Sequence, residues 1–158
     1  MDISTAEGVR LVNTLAVARM EPQYPSPRPI LHMPQPVQNA FEEAEANFAD
    51  QRWPSAATGY RRAIERALKV LHPEARGMLN ERIRALEKQN SLPPSMIALM
   101  DNIKFLGNDG AHEMEDPEAN DVAVGRDFAT LLLTYLFELP ERVRLATVRR
   151  NKAAMTEQ

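Results

Sequence analysis

Residues 53–71 read WPSAATGYRRAIERALKVL, and the spacing of their apolar positions decides the fold class. Ala56, Tyr60, Ala63, Ile64, Ala67, Leu68 and Leu71 recur at i, i+4, i+7, i+8, i+11, i+12 and i+15. That period winds them onto one face of a helix, whereas on a strand they would scatter over both faces. Pro54 suits the first turn, where its missing N–H has no intrahelical partner to lose. His72-Pro73 ends the run, because a residue before proline is pushed out of the helical region. The opposite face carries Arg61, Arg62, Glu65, Arg66 and Lys69.

Working outward, the same period recurs on both sides. Upstream, Phe41, Ala44 and Phe48 share a face and predict a helix over about Val37 to Asp50. Downstream, Leu79, Ile83 and Leu86 mark a third helix, and Met96, Met100 and Ile103 a fourth that stops near Gly107. Asp116-Pro117-Glu118 reads as a cap with a first-turn proline, opening a fifth helix. The second half of that helix, LLLTYLFEL, is apolar almost all round, with Thr130, Thr134 and Glu138 as a narrow polar strip. Pro140 is expected to start a last helix that leads into a basic tail. The fold expected is mainly α: an antiparallel bundle of about five to six helices with short connections. It divides into an N-terminal arm over 1–36, the bundle over 37–140 and a basic helix or tail over 141–158.

Six of the twelve prolines fall between Pro22 and Pro36, in EPQYPSPRPILHMPQP. Proline fixes φ and removes a donor, so this stretch is expected as an extended arm along the body, with Tyr24, Ile30 and Leu31 tucked in. Residues 9–19 fit two descriptions. Val9, Leu11, Leu15 and Val17 share strand parity, while Leu11, Leu15 and Ala18 share a helical face behind a Ser4-x-x-Glu7 capping box. The strand is the preferred reading. The Phe48…Tyr60…Ala63 spacing is also similar to that of a tetratricopeptide repeat, but no second copy follows.

Composition narrows the classes. A chain of 158 residues is one domain by size and can bury roughly 70% of the surface its unfolded form exposes. It has no cysteine, which excludes disulfides, thiolate metal sites and cysteine nucleophiles together. The longest apolar run, Leu131 to Leu139, is well short of the ~20 residues that span a bilayer. Met1 to Arg10 lacks the basic start and apolar core of a secretory signal, so the expected location is the cytoplasm, with no membrane partner. A net charge of −3 gives no global pull on nucleic acid, and RNA would need a local patch. Arg61, Arg62 and Arg66 on the second helix, with Arg149 and Arg150 in the tail, are the residues that would form one. Their simpler reading is a solvated, salt-bridged face and a frayed helix end whose cations suit the macrodipole.

The stretch Asp101 to His112, DNIKFLGNDGAH, puts a lysine, an asparagine and a histidine around a Gly-x-x-Gly bend. Together with YRRAIERALK at 60–69 and LTYLFELP at 133–140, in that order, it resembles domain-of-unknown-function family 4145, usually placed with the HEPN-like helical domains. The resemblance covers roughly Pro36 to Pro140. It implies a helical bundle that often dimerises, found in bacterial defence, restriction and toxin–antitoxin settings, with a protein partner encoded nearby. Catalytic HEPN relatives are metal-independent ribonucleases whose motif is an arginine, a polar residue, three further residues and a histidine. Laid on this chain, Asn108 takes the polar position and His112 the histidine, but Gly107 stands where the arginine belongs.

That departure has chemical weight. Cleaving RNA through its own 2′-hydroxyl needs a base, an acid and a cation for the charge at phosphorus. Histidine serves the first two roles. Guanidinium serves the third, and Lys104, about one helical turn upstream, offers only a point charge in its place. In a purely structural reading, Asn108 closes a helix end and His112 bonds a terminal carbonyl. His112, Glu113, Glu115, Asp116, Glu118 and Asp121 lack metal-ligand spacing and read as a solvated acidic loop, so neither metal nor cofactor is expected. Two functions follow. The first is a HEPN-like assembly module, a homodimer meeting its copy through Leu132, Leu136 and Phe137 and contacting RNA. The second is a metal-independent endoribonuclease using His112, Asn108 and Lys104. Nothing in the sequence speaks for a third, a small-ligand sensor.

Overall fold

Proline sets where the helices begin. The computed structural model describes residues 28–106 and 116–156, and among them are six α-helices and no strand. Pro34 caps α1 (Gln35–Ala49) and Pro36 lies in its first turn; Pro54 does the same for α2 (Trp53–Leu71). Pro93 caps α4 (Pro94–Asp101), which follows α3 (Leu79–Lys88). A short 3-10 turn, Lys104–Leu106, comes next, and α5 (Ala119–Leu133) begins after the undescribed residues 107–115.

The helix ends are set by backbone bonds. At the end of α1, Gln51 adopts φ 58°, so that its N–H reaches Phe48 O at 3.0 Å and the N–H of Arg52 reaches Asn47 O at 2.8 Å. At the end of α3, Asn90 repeats the arrangement with φ 54°. Both are Schellman closures that satisfy carbonyls the helix leaves unbonded.

α1 and α2 form an αα-hairpin with Val37, Ala40, Phe41, Ala44 and Phe48 facing Ala56, Tyr60, Ala63, Ile64, Ala67 and Leu68. A Cβ on Gly59 would lie 2.7 Å from Ala44 Cβ, so the glycine is what lets the two backbones approach. α5 closes the other side of α2 through Val122, Phe128, Ala129, Leu132 and Leu133, and Phe105 rests on Gly125. The helical period in the sequence therefore placed most of the core correctly.

Several expectations need correction. Leu71, at the end of the α2 stripe, is exposed, and so is Leu31; of the arm, Ile30 is the residue that enters the core. The fourth helix stops at Asp101 and continues as 3-10 turn, and the fifth starts at Ala119 with Glu118 as its cap, leaving Pro117 outside. Pro140 lies in the first turn of the last helix, as expected, but no gap separates that helix from the one before. α5 passes through a π turn, Thr134–Glu138, into α6 (Leu139–Thr156). In a regular helix the proline ring would clash with the carbonyl four residues back. The wider turn, in which the N–H of Leu139 bonds Thr134 O, lets the chain continue past it. The expected strand over 9–19, Tyr24, and the glycine bend at 107 and 110 lie outside the described residues.

Candidate functional site

The π turn carries a carboxylate into the interior. Glu138, expected on a polar strip, has no exposed surface at all. Its Oε1 accepts from Arg28 Nη2 at 2.7 Å and lies 2.7 Å from Arg142 Nη2, and its Oε2 accepts from the N–H of Leu31 at 3.1 Å. The Arg28 hydrogen bond first, and then the Leu31 N–H, hold its pKa down at about 2 against the resistance of burial. Glu138 thus ties the end of the proline-rich arm to the point where α6 leaves the body.

A second buried cluster joins α1, α2 and α5. Tyr60 Oη donates to Glu45 Oε1 at 2.5 Å, and Arg126 grips the same carboxylate with Nε at 2.9 Å and Nη2 at 2.8 Å. The guanidinium lies 4.6 Å above the Phe48 ring. Burial, then the Glu45 carboxylate, pushes the Tyr60 hydroxyl far above its ordinary pKa, so it stays protonated as a donor. Tyr60 and Arg126 thus share one carboxylate, whose side chain is 22% exposed. The cluster fixes how three helices register, and the sequence hinted at it only through a tyrosine inside an apolar stripe.

The residues expected at a site are scattered. Lys104 projects from the 3-10 turn, with its side chain 66% exposed and Nζ 3.9 Å from Asp121 Oδ2. Asn108 and His112 lie outside the described residues. Each arginine of the α2 face is already engaged. Arg61 pairs with Glu65 at 3.0 Å and donates to Phe105 O at 3.0 Å, Arg62 meets Glu43 at 3.3 Å, and Arg66 donates to Pro36 O at 2.8 Å. Arg66 and Lys69 edge a shallow groove of about 550 Å³ between the start of α1 and the end of α2. Arg149 and Arg150 are different: both are exposed on α6, with no ion pair to another described residue.

Of the expected interface residues, Leu132 is wholly buried in the chain's own core and has no surface to offer, while Leu136 and Phe137 are half-buried. The apolar surplus lies further along. α6 has 18 residues and none is buried; Leu139, Val143, Leu145 and Val148 are exposed, Val143 by 58%. Among the described residues no group of His, Asp or Glu could hold a metal, and no helix is long and apolar enough to cross a membrane.

A family model described as domain of unknown function, DUF4145, matches residues 42–152. Comparison with curated proteins and with solved structures gives no match.

Proposed function

The chain belongs to the DUF4145 family, and on that premise we propose that it is a HEPN-like assembly module that pairs with a second copy of itself through α6, in a bacterial defence, restriction or toxin–antitoxin setting. The observation that carries this reading is α6 itself. An 18-residue helix draws most of its stability from packing an apolar face, yet this one buries nothing beyond its root. Leu139 and Val143 share one side of it and Leu145 and Val148 another, and this exposed apolar surface on two sides is what a partner would cover.

Charge favours a copy of the same chain as that partner. α6 carries Arg142, Arg144, Arg149, Arg150 and Lys152 against Glu141 alone, while the whole chain has net charge −3. The acidic excess therefore lies in the remaining sequence, so two copies attract more through a basic helix meeting that remainder than through two basic helices meeting each other. Among the described residues Arg149 and Arg150 are exposed cations without an ion pair and could meet an RNA phosphate, in contrast to the engaged arginines of α2.

Light scattering tests the pairing. The full chain should be a dimer at micromolar concentration, and Val143→Glu with Val148→Glu should give a monomer that keeps its helical circular dichroism. A monomeric wild type would end the proposal. RNA cleavage in chelator that disappears in His112→Ala would put the ribonuclease in its place.

A further inference from the structure

The π turn does more than carry the chain past Pro140; it also sets which side of α6 continues the outer side of α5. A regular α-helix turns about 100° per residue, so Glu138, seven residues beyond Leu131, would lie within about 20° of it. Yet Leu131 is 52% exposed and Glu138 has no exposed surface. The π turn accounts for the difference. The bond from the N–H of Leu139 to Thr134 O spans five residues instead of four, so one extra residue is taken up before α6 begins. With that residue counted, Val143 comes round to within about 20° of Leu131, where an unbroken α-helix would put it about 120° away. Val124, Asp127, Leu131, Leu139, Val143 and Arg150 therefore share one side of the continuous run from α5 into α6.

The two ends of this side carry opposite charges. Asp127 and Arg150 are both exposed, and neither forms a salt bridge with another described residue. Between them lie Leu131, Leu139 and Val143, all exposed. Two copies laid antiparallel on this side set one apolar middle against the other, and Asp127 of each against Arg150 of the other. Laid parallel, they would set like charges together. The midpoint between Asp127 and Arg150 falls between Glu138 and Leu139, so a single two-fold axis there forms both charge pairs.

We infer that two copies of this chain pair antiparallel along the joined side of α5 and α6, with Asp127 of each copy against Arg150 of the other. This arrangement rests on the pairing proposed above and gives it a surface and a direction. Leu139 and Val143 face the other copy, Leu145 and Val148 do not, and each basic α6 lies along the α5 of its partner. Arg149, one step further round the helix, stays outside the seam.

The chain has no cysteine, so single cysteines report the arrangement without interference. Asp127→Cys and Arg150→Cys chains should be mixed in equal amounts and treated with a short bismaleimide. Opposed residues of packed helices are within reach of such a linker, whose span is close to the ~8–10 Å between helix axes. Two copies of the same residue would be about 34 Å apart along the run, far beyond it. The expected product is a mixed pair containing one chain of each kind, with neither chain linking to itself. By light scattering, Val143→Glu should be a monomer and Val148→Glu a dimer, both with unchanged circular dichroism. A dimer in which Asp127→Cys links to itself, in which no mixed pair forms, or which survives Val143→Glu overturns this arrangement and leaves the pairing of copies standing. A monomeric wild type ends both.

Discussion

Two carboxylates, one buried and one part-buried, hold this molecule at two points, and each makes a prediction at the scale of single residues. Glu138 has a folded pKa of about 2 against an ordinary value of 4.5. A depressed pKa contributes stability that is complete above 4.5 and is lost as pH falls through about 2. Glu138→Gln keeps the shape and an acceptor but loses the charge, so it should destabilise by about 1–3 kcal/mol near neutrality. Urea unfolding at pH 6 and at pH 3 should show the gap between wild type and mutant narrowing at the lower pH. Glu45 makes the sharper case. Glu45→Ala removes the carboxylate that Arg126 and Tyr60 both bond, which should cost about 1–3 kcal/mol. Replacing Arg126 by Met in the same chain should recover part of that loss, since the guanidinium that loses its carboxylate is then gone; no recovery would mean that packing, not charge, holds the cluster. Neither carboxylate's role was legible. Glu138 falls among apolar neighbours on a helix whose regular period would leave it on a polar strip, and the partners Arg126 of Glu45 and Arg28 and Leu31 of Glu138 are distant in sequence.

At the scale of elements, local signals served well where local forces decide. The stripe from Ala56 to Leu68 and the proline at 54 gave α2 and its start, because apolar period and a missing N–H act within a few residues. What the sequence hid was geometry between elements. Gly59 sits within a helical pattern that gives no hint of contact, yet its Cα faces Ala44 closely enough that an added Cβ has no room. An exposed glycine in a helix gains about 1 kcal/mol on replacement by alanine. Gly59→Ala should reverse that sign and lose about 1–3 kcal/mol, because α1 must move outward to admit the methyl group. A melting temperature equal to or above that of wild type would show that the hairpin has slack here. Pro140 marked the start of the last helix but gave no sign that the helix continues the one before it. Proline normally marks a boundary, and only the widened turn from Thr134 to Glu138 allows α5 and α6 to run on together.

For the whole molecule, the question is whether a helical scaffold of this family acts on RNA, and the positions of its cations bear on the answer. Phosphate cleavage needs a positive group held against the developing charge at phosphorus. Gly107 supplies none. Lys104 points into solvent beside Asp121, and Arg61, whose guanidinium reaches the backbone of Phe105, is already shared with Glu65. Losing such a group commonly costs ~10²–10³ in rate, so the purified protein should leave single-stranded RNA essentially intact in chelator. Wild type, His112→Ala and Gly107→Arg should be compared on one RNA. The expected result is no cleavage by the first two. Cleavage gained in Gly107→Arg would indicate that the rest of the motif can still act once the cation is restored. Strong wild-type cleavage lost in His112→Ala would make the protein a ribonuclease.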